Sequence, residues 1–168
     1  MLTIRRATDA DWDAIWEIFH AVVRKGDTYS YDPETTQEEG RALWMTPAGW
    51  TYVACLGEQI VGTYLLKPNQ PGLGSHVANA GYMVRPGESG RGVGRAMCEH
   101  SLEEARRAGF LAMQFNFVVS TNTRAVALWQ RLGFRIVGTL PRAFRHQELG
   151  LVDAHVMYRF LTADENPR

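Results

Sequence analysis

The 168-residue chain predicts an α/β fold, a mixed sheet of about seven strands with helices on both faces. Three observations point there. Apolar residues make up 45% and charged residues 21%, the composition of a globular chain long enough for one core. Hydrophobic periodicity runs β-α-α-β-β-β-α-β-α-β-β, an order that covers a sheet from both sides. No repeat or low-complexity linker interrupts it, so residues 1–161 are expected as one domain and 162–168 as a polar tail.

Taken in order, Leu2 to Arg6 reads as a strand. A helix starts at Asp9 or Asp11 and carries Trp12, Ile15, Phe19 and Val22/Val23 at helical spacing until Gly26 ends it. GDTYSYDP is a loop, and a second helix is expected from Glu34 to Met45, entered through Pro33. TYVACLGEQIVGTYLLK reads as a hairpin around Gly57. After the loop PNQPGLGS, His76 to Val84 is a long strand stopped by Arg85-Pro86-Gly87. A helix follows from Gly92 to Ala108, a strand from Leu111 to Val119, and a helix from Asn122 to Leu132 that Gly133 closes. FRIVGTL and VDAHVMYRFL are the last strands.

Eighteen basic residues balance eighteen acidic ones, which gives no reason to expect nucleic acid or an anionic membrane as a partner. No apolar run approaches the roughly 20 residues of a membrane span, and the first residues lack a signal-peptide core, so a cytoplasmic setting is expected. Cys55 and Cys98 encode neither a disulfide framework nor a zinc ribbon, and five histidines form no metal-binding pattern, so no metal is expected. His20 and His100 are expected exposed on their helices, and Trp12, Trp16, Trp44 and Trp50 in the core or at a subunit contact. The neutral total hides an asymmetry. Residues 1–50 carry five basic and nine acidic side chains; residues 85–145 carry ten arginines against four glutamates. Either a bound polyanion or solvated, arginine-rich helices would explain it.

AGYMVRPGESGRGVGRAM is the segment that carries chemistry. A strand ends at Val84, a loop holds Gly90, Gly92 and Gly94, and a helix follows at once. Free N–H groups of a first helical turn, glycines that admit a close ligand, the helix dipole and Arg85, Arg91 and Arg95 together make a pyrophosphate cradle. It is not a Walker loop, because Gly94-Arg95-Ala96 stands where Gly-Lys-Ser/Thr is needed. A Rossmann fingerprint fails at Arg95, and a nucleophile elbow fails at Arg91.

Val84-Arg85-Pro86 followed by Ser89-Gly90-Arg91-Gly92-Val93-Gly94 resembles the cofactor motif of the GNAT family of acetyl-CoA-dependent N-acetyltransferases, with Ser89 at the family's Gln/Arg position. Asn122, Ala125, Trp129, Gly133 and Phe134 resemble its second block, at the right separation. The resemblance implies a sheet splayed between the fourth and fifth strands, with acetyl-CoA in the gap. Tyr82, Met83 and Val84 would pair with the pantetheine arm. Gly90, Arg91, Gly92, Val93, Gly94 and Arg95 would hold the pyrophosphate, and Asn122 and Trp129 would complete the cofactor site. HVANAGYMV, MQFNFVVSTNTRAVALWQRLGF and GDTYSYDP are similar more narrowly to acetyltransferases of azetidine-2-carboxylate and related proline analogues.

The resemblance also implies a main-chain N–H near Met83 or Val84 as the group that polarises the thioester. The residue that donates a proton to the thiolate in many members is tyrosine, and here it is Trp129, leaving Tyr82, water or the amine itself. His76 to Val84 holds no carboxylate to act as base. At pH 7 an amine of pKa ~8 costs about 1.4 kcal/mol to deprotonate and a lysine-like amine roughly 4–5. Asn79 is the polar residue of that strand, and Asn116 interrupts an otherwise apolar one; both are candidate catalytic residues, with satisfied amides as the alternative. Asn122 also suits a helix N-cap. Tyr29 and Tyr31 lie in the loop expected to wall the acceptor, where Asn79 and Arg142 would also touch it; Arg145 and His146 accompany Arg142. His76 opens the key strand and is a candidate to titrate there. The expected acceptor is a small amino-acid-like amine. The alternatives are a peptide or protein N-terminus, and a non-catalytic acyl-CoA sensor. The exposed last strands permit a homodimer.

Overall fold

The computed structural model describes residues 1–163. The tail expected at 162–168 lies, from residue 164 on, outside the described residues. Seven strands form one mixed sheet: β1 (Leu2–Arg6), β2 (Trp50–Leu56), β3 (Gln59–Pro68), β4 (Val77–Val84), β5 (Ala112–Val119), β6 (Arg135–His146) and β7 (Gly150–Phe160). Their order across the sheet is β1-β2-β3-β4-β5-β7-β6. Four helices cover it: α1 (Trp12–Lys25), α2 (Gln37–Trp44), α3 (Val93–Arg107) and α4 (Thr123–Arg131).

Alternation along the strands sorts the core into two layers. Tyr52, Ala54, Tyr64 and Leu66 face α3 and α4, where they meet Met97, Leu102 and Trp129. Val53, Cys55, Leu65 and Met83 face α1 and α2, where they meet Ile15, Phe19 and Trp44. Asp11 fixes the start of α1 to β1, accepting two bonds of 2.8 Å from the Arg5 guanidinium and one of 2.8 Å from the Thr8 N–H.

Two expected boundaries move. α2 begins at Gln37, not Glu34, because Thr36 caps it: its hydroxyl accepts from the Glu39 N–H while the Glu39 carboxylate accepts from the Thr36 N–H. β6 runs on to His146 through a segment expected as loop. Pro141 is tolerated because β6 is an edge strand and the ladder bulges between Leu140 and Phe144. In that bulge Arg142 takes φ 51°, and its N–H donates to Asp153 Oδ1 at 2.8 Å.

β4 and β5 are the parallel pair, and they touch only at their beginnings. Val77 pairs with Ala112 and Ala78 with Met113, after which the strands separate. This opening positions the site. No described helix is long and apolar enough to cross a membrane.

Candidate active site

The opened strands line a cleft of about 910 Å³ that runs from the start of α3, past β4 and β5, to the loop between α1 and α2. Its closed end is built by Asn79, whose side-chain amide donates to the Gln114 carbonyl at 3.0 Å, one residue beyond the last β4–β5 pair. A side chain thus bridges the strands where the main chains part.

The free edge of β4 follows from its pairing with β3. The Arg85 N–H donates to Val61 O and the Asn69 N–H to Val77 O, which fixes the phase of the antiparallel ladder. Met83, opposite Thr63, therefore spends its N–H and C=O on β3. Ala80, Tyr82 and Val84 turn theirs to the cleft. This corrects the expectation for Met83: its main chain is occupied, and its side chain is buried under α1. The Tyr82 carbonyl already accepts from the Tyr29 hydroxyl at 2.9 Å. The Tyr82 hydroxyl lies behind the sheet, 2.7 Å from Ser101 Oγ. Burial there holds the phenol well above its ordinary pKa, which leaves it a poor proton donor.

At the other end, Gly92 is the N-cap residue of α3 at φ 79°, and no side chain caps the first turn. The N–H groups there are free to meet an anion, unlike those of α2 and α4, which Thr36 and Asn122 cap. The arginines behave differently from expectation. Arg85 reaches Glu17 at 3.0 Å and the Ile60 carbonyl at 2.9 Å, Arg91 pairs with Glu88 at 2.6 Å, and Arg95 with Glu99 at 2.9 Å. Each cation is matched by a carboxylate, so the cradle is mainly main-chain N–H and helix dipole. Among the described residues, two cleft-lining arginines of α4 have no carboxylate partner: Arg124, in its first turn, and Arg131, at its end. A Cβ on Gly90 would stand 3.0 Å from the Arg124 Nη2, so a glycine at 90 leaves the guanidinium room beside the loop. Among the described residues Arg124 has no carboxylate within 4.0 Å. Sequence reading passed it over because nothing in the sequence says which arginines find a glutamate.

Val93, Gly94, Asn122 and Trp129 also line the cleft. Asn122 caps α4, accepting from the Ala125 N–H at 3.4 Å. Trp129 packs on Tyr82 and Phe115, with ring centroids 5.1 and 5.3 Å apart. On the α1–α2 side, Tyr29, Tyr31 and Trp44 form an aromatic wall, Tyr29 stacked on Tyr31 at 5.7 Å. Burial raises the pKa of both tyrosines. Asn116 is exposed; its side chain donates to Asn69 Oδ1 at 2.7 Å and accepts from Gln114 Nε2 at 2.9 Å. Arg142 does not line the cleft: it sits in the β6 bulge, exposed. Arg145 and His146 remain on the same hairpin, and His76 is exposed outside the cleft. His100 is half-buried, its Nδ1 2.7 Å from the Tyr64 hydroxyl, with its pKa lowered by burial; His20 is also half-buried, 4.9 Å from Trp16.

An open parallel pair, an uncapped glycine-rich helix start beside it and a free strand edge between them define a protein that takes an extended ligand with an anionic end. The chain belongs to the acetyltransferase (GNAT) family, which it matches over residues 12–134. It is 51% identical to a GCN5-related N-acetyltransferase from Kribbella flavida, whose structure superposes with a TM-score of 0.91 over 95% of this chain and 97% of that one. It is 36% identical over 110 residues to the N-acetyltransferase aca1 of Schizosaccharomyces pombe, a match covering 63% of this chain and 52% of that protein. The chain spans about half the length of that relative. To the L-methionine sulfoximine/L-methionine sulfone acetyltransferase of Salmonella typhimurium it is 27% identical over 157 residues, 84% of either chain.

Proposed function

We propose that this protein is an N-acetyltransferase that moves an acetyl group from acetyl-CoA to the amine of a small amino-acid-like molecule. The observation that carries the reading is the β4–β5 opening ending at Asn79, with an uncapped helix start at its mouth. The residues fit the co-substrate. The first turn of α3, with Gly90, Gly92 and Arg124, would receive the phosphates. Main-chain groups of Ala80, Tyr82 and Val84 would pair with the pantetheine amides as an added strand does. Asn122 and Trp129 would close the cofactor side.

Acetyl-CoA supplies an activated acyl group as a thioester. The amine nitrogen bonds to the acyl carbon, the C–S bond breaks, and one amine proton ends on the departing thiol. The Val84 or Tyr82 N–H, aimed into the cleft, is the polarising group for the thioester oxygen. Two carboxylates line the cleft, and both are spoken for: Asp27 pairs with Lys25 at 3.0 Å and Glu88 with Arg91 at 2.6 Å. Among the described residues no free carboxylate stands ready in the cleft as base, so the amine arrives neutral or passes its proton through water. Asn79 acts at the vertex as the group that positions the acceptor.

The small-acceptor reading is supported by the similarity, over 84% of either chain, to an acetyltransferase of methionine analogues. Acetylation of a protein N-terminus is the second reading, since the chain is also 26% identical to a ribosomal-protein-alanine N-acetyltransferase from Brucella melitensis; the non-catalytic sensor is not favoured. A homodimer remains part of the proposal. Edge strand β6 and its hairpin carry exposed Val137 and Leu149, and light scattering on the purified protein measures the mass. The activity test is thiol release from acetyl-CoA across amino acids, proline analogues, methionine sulfone, polyamines and short peptides. Release with small amino acids and not with peptides is the expected result. Acetyl-CoA binding without release for any amine would refute it.

A further inference from the structure

We infer that Lys67 is the specificity-determining residue of the acceptor end, an anion receptor that selects amines carrying a carboxylate. This deepens the acetyltransferase reading above and rests on it. Lys67 stands directly opposite Asn79 across the β3–β4 ladder, so the two side chains emerge on the same face. That face is the α1–α2 side, shared with Leu65, Gly81 and Met83. Lys67 lines the cleft, as do Tyr29, Tyr31 and Asn116. Gly49 runs close beside the root of this side chain: a Cβ on Gly49 would lie 3.0 Å from the Lys67 Cβ.

Charge makes the assignment. Among the described residues Lys67 has no carboxylate within 4.0 Å, whereas Lys25 in the same cleft is tied to Asp27 at 3.0 Å. Asn79, directly opposite Lys67, is a neutral amide, as are Asn69 and Asn116, which bond to each other next along the opening. An acceptor with a carboxylate finds there an uncompensated cation, with Asn79 and Asn116 amides able to share the carboxylate oxygens. A polyamine or a basic peptide meets like charge instead. The same ammonium disfavours the protonated form of an amine beside it, which is the form that cannot attack the thioester. Arg142, the arginine expected from sequence to bind this carboxylate, lies outside the cleft, and Lys67 takes the place assigned to it.

The test compares each acceptor amino acid with its own carboxamide, which keeps the amine and side chain and removes the anion. For the wild-type protein kcat/KM favours the acid by about 10- to 100-fold, the range of a hydrogen bond to a charged group. Lys67→Met keeps the stem and removes the charge; it collapses the acid-to-amide ratio towards one through KM for the acid, and Lys67→Arg restores most of it. Equal losses on acid and amide in Lys67→Met would mean a structural role and overturn the inference, as would an unchanged ratio. A second readout separates this from failure of the acetyltransferase reading. Calorimetric titration of the acid into the protein saturated with CoA reports binding without turnover. Binding that Lys67→Met abolishes supports the receptor even if no amine is acetylated. Turnover of amides or polyamines with no binding of acids overturns the receptor and leaves the acetyltransferase standing.

Discussion

Replacing Gly92 separates the strain of the backbone from the work of the cradle. Gly92 holds φ 79° at the start of α3, a conformation that costs a residue with a Cβ about 1–2 kcal/mol. A Cβ there meets no protein atom within 4 Å, so the fold pays strain and no clash. For a chain of this size that strain lowers the melting temperature by roughly 2–8 °C. Gly57, in the β2–β3 turn at φ 60° with equally open surroundings and far from the cleft, is the matched control. Gly57→Ala is expected to show a similar thermal loss with unchanged acetyl-CoA affinity. Gly92→Glu adds a carboxylate where phosphate is expected. Each opposed pair of charges at about 4 Å costs about 1–4 kcal/mol between water-like and surface-like dielectric, and a diphosphate presents two. Affinity for acetyl-CoA should therefore fall about 100-fold or more. Isothermal titration of acetyl-CoA beside thermal unfolding makes the comparison. A folded Gly92→Glu protein that binds acetyl-CoA as tightly as wild type would refute the cradle.

The other sites make smaller, distinct demands. Asn79→Ala removes the bridge to the Gln114 carbonyl, and acetyl release should fall at least ~10-fold while acetyl-CoA affinity stays within about 3-fold, as titration and steady-state kinetics together would show. Arg124→Gln should weaken acetyl-CoA about 3- to 10-fold, a modest loss because the guanidinium is exposed, and should flatten the salt dependence of binding. Asp11 titrates at about 2 instead of its ordinary 3.8, held down first by the hydrogen bonds from Arg5. Because the folded value is the lower one, its stabilisation is complete above about pH 4 and disappears as pH falls through 2. Discounted for the half-exposed Arg5, it is worth ~1–2 kcal/mol, so Asp11→Asn should show that loss in urea unfolding at pH 7 and almost none at pH 2.

The order of strands and helices was legible because periodicity is local: each strand and helix of the cleft follows from which residues are apolar at spacing two or near four. Its boundaries were less so. The Thr36–Glu39 cap is written in four residues, yet Pro33 was the louder signal. Pro141 reads as a strand end, and only the edge position of β6, a property of the whole sheet, lets the strand pass through it. The glycine loop was legible as well, since positive φ and an uncapped helix start are local features. The charges were not. Arg85 meets Glu17, 68 positions away, and no spacing rule announces that pair. Lys67 and Arg124 enter the proposals because among the described residues no carboxylate neutralises them, which depends on every other residue near them. Asn79 was singled out as a polar residue in a strand; its place at the vertex comes from where β4 and β5 stop pairing.

The asymmetry between an acidic first third and a basic segment at 85–145 now divides into parts. Some of it cancels inside the molecule, as where Glu17 on α1 meets Arg85 after β4. Some cancels within α3 and the loop before it, through Arg91–Glu88, Arg95–Glu99 and Arg107–Glu104. Arg124 is left at the mouth of the cleft and Lys67 at its closed end, while both carboxylates of the cleft are bound to other cations. On the proposed reading, a polyanionic co-substrate at one end and a carboxylated amine at the other would need that distribution. A free carboxylate near the amine would stabilise the ammonium form and compete with the acceptor's own carboxylate for Lys67. Under the proposed function a deficit of acid in the cleft would serve binding and attack together, and the want of a free carboxylate base would follow from the charge of a carboxylated acceptor.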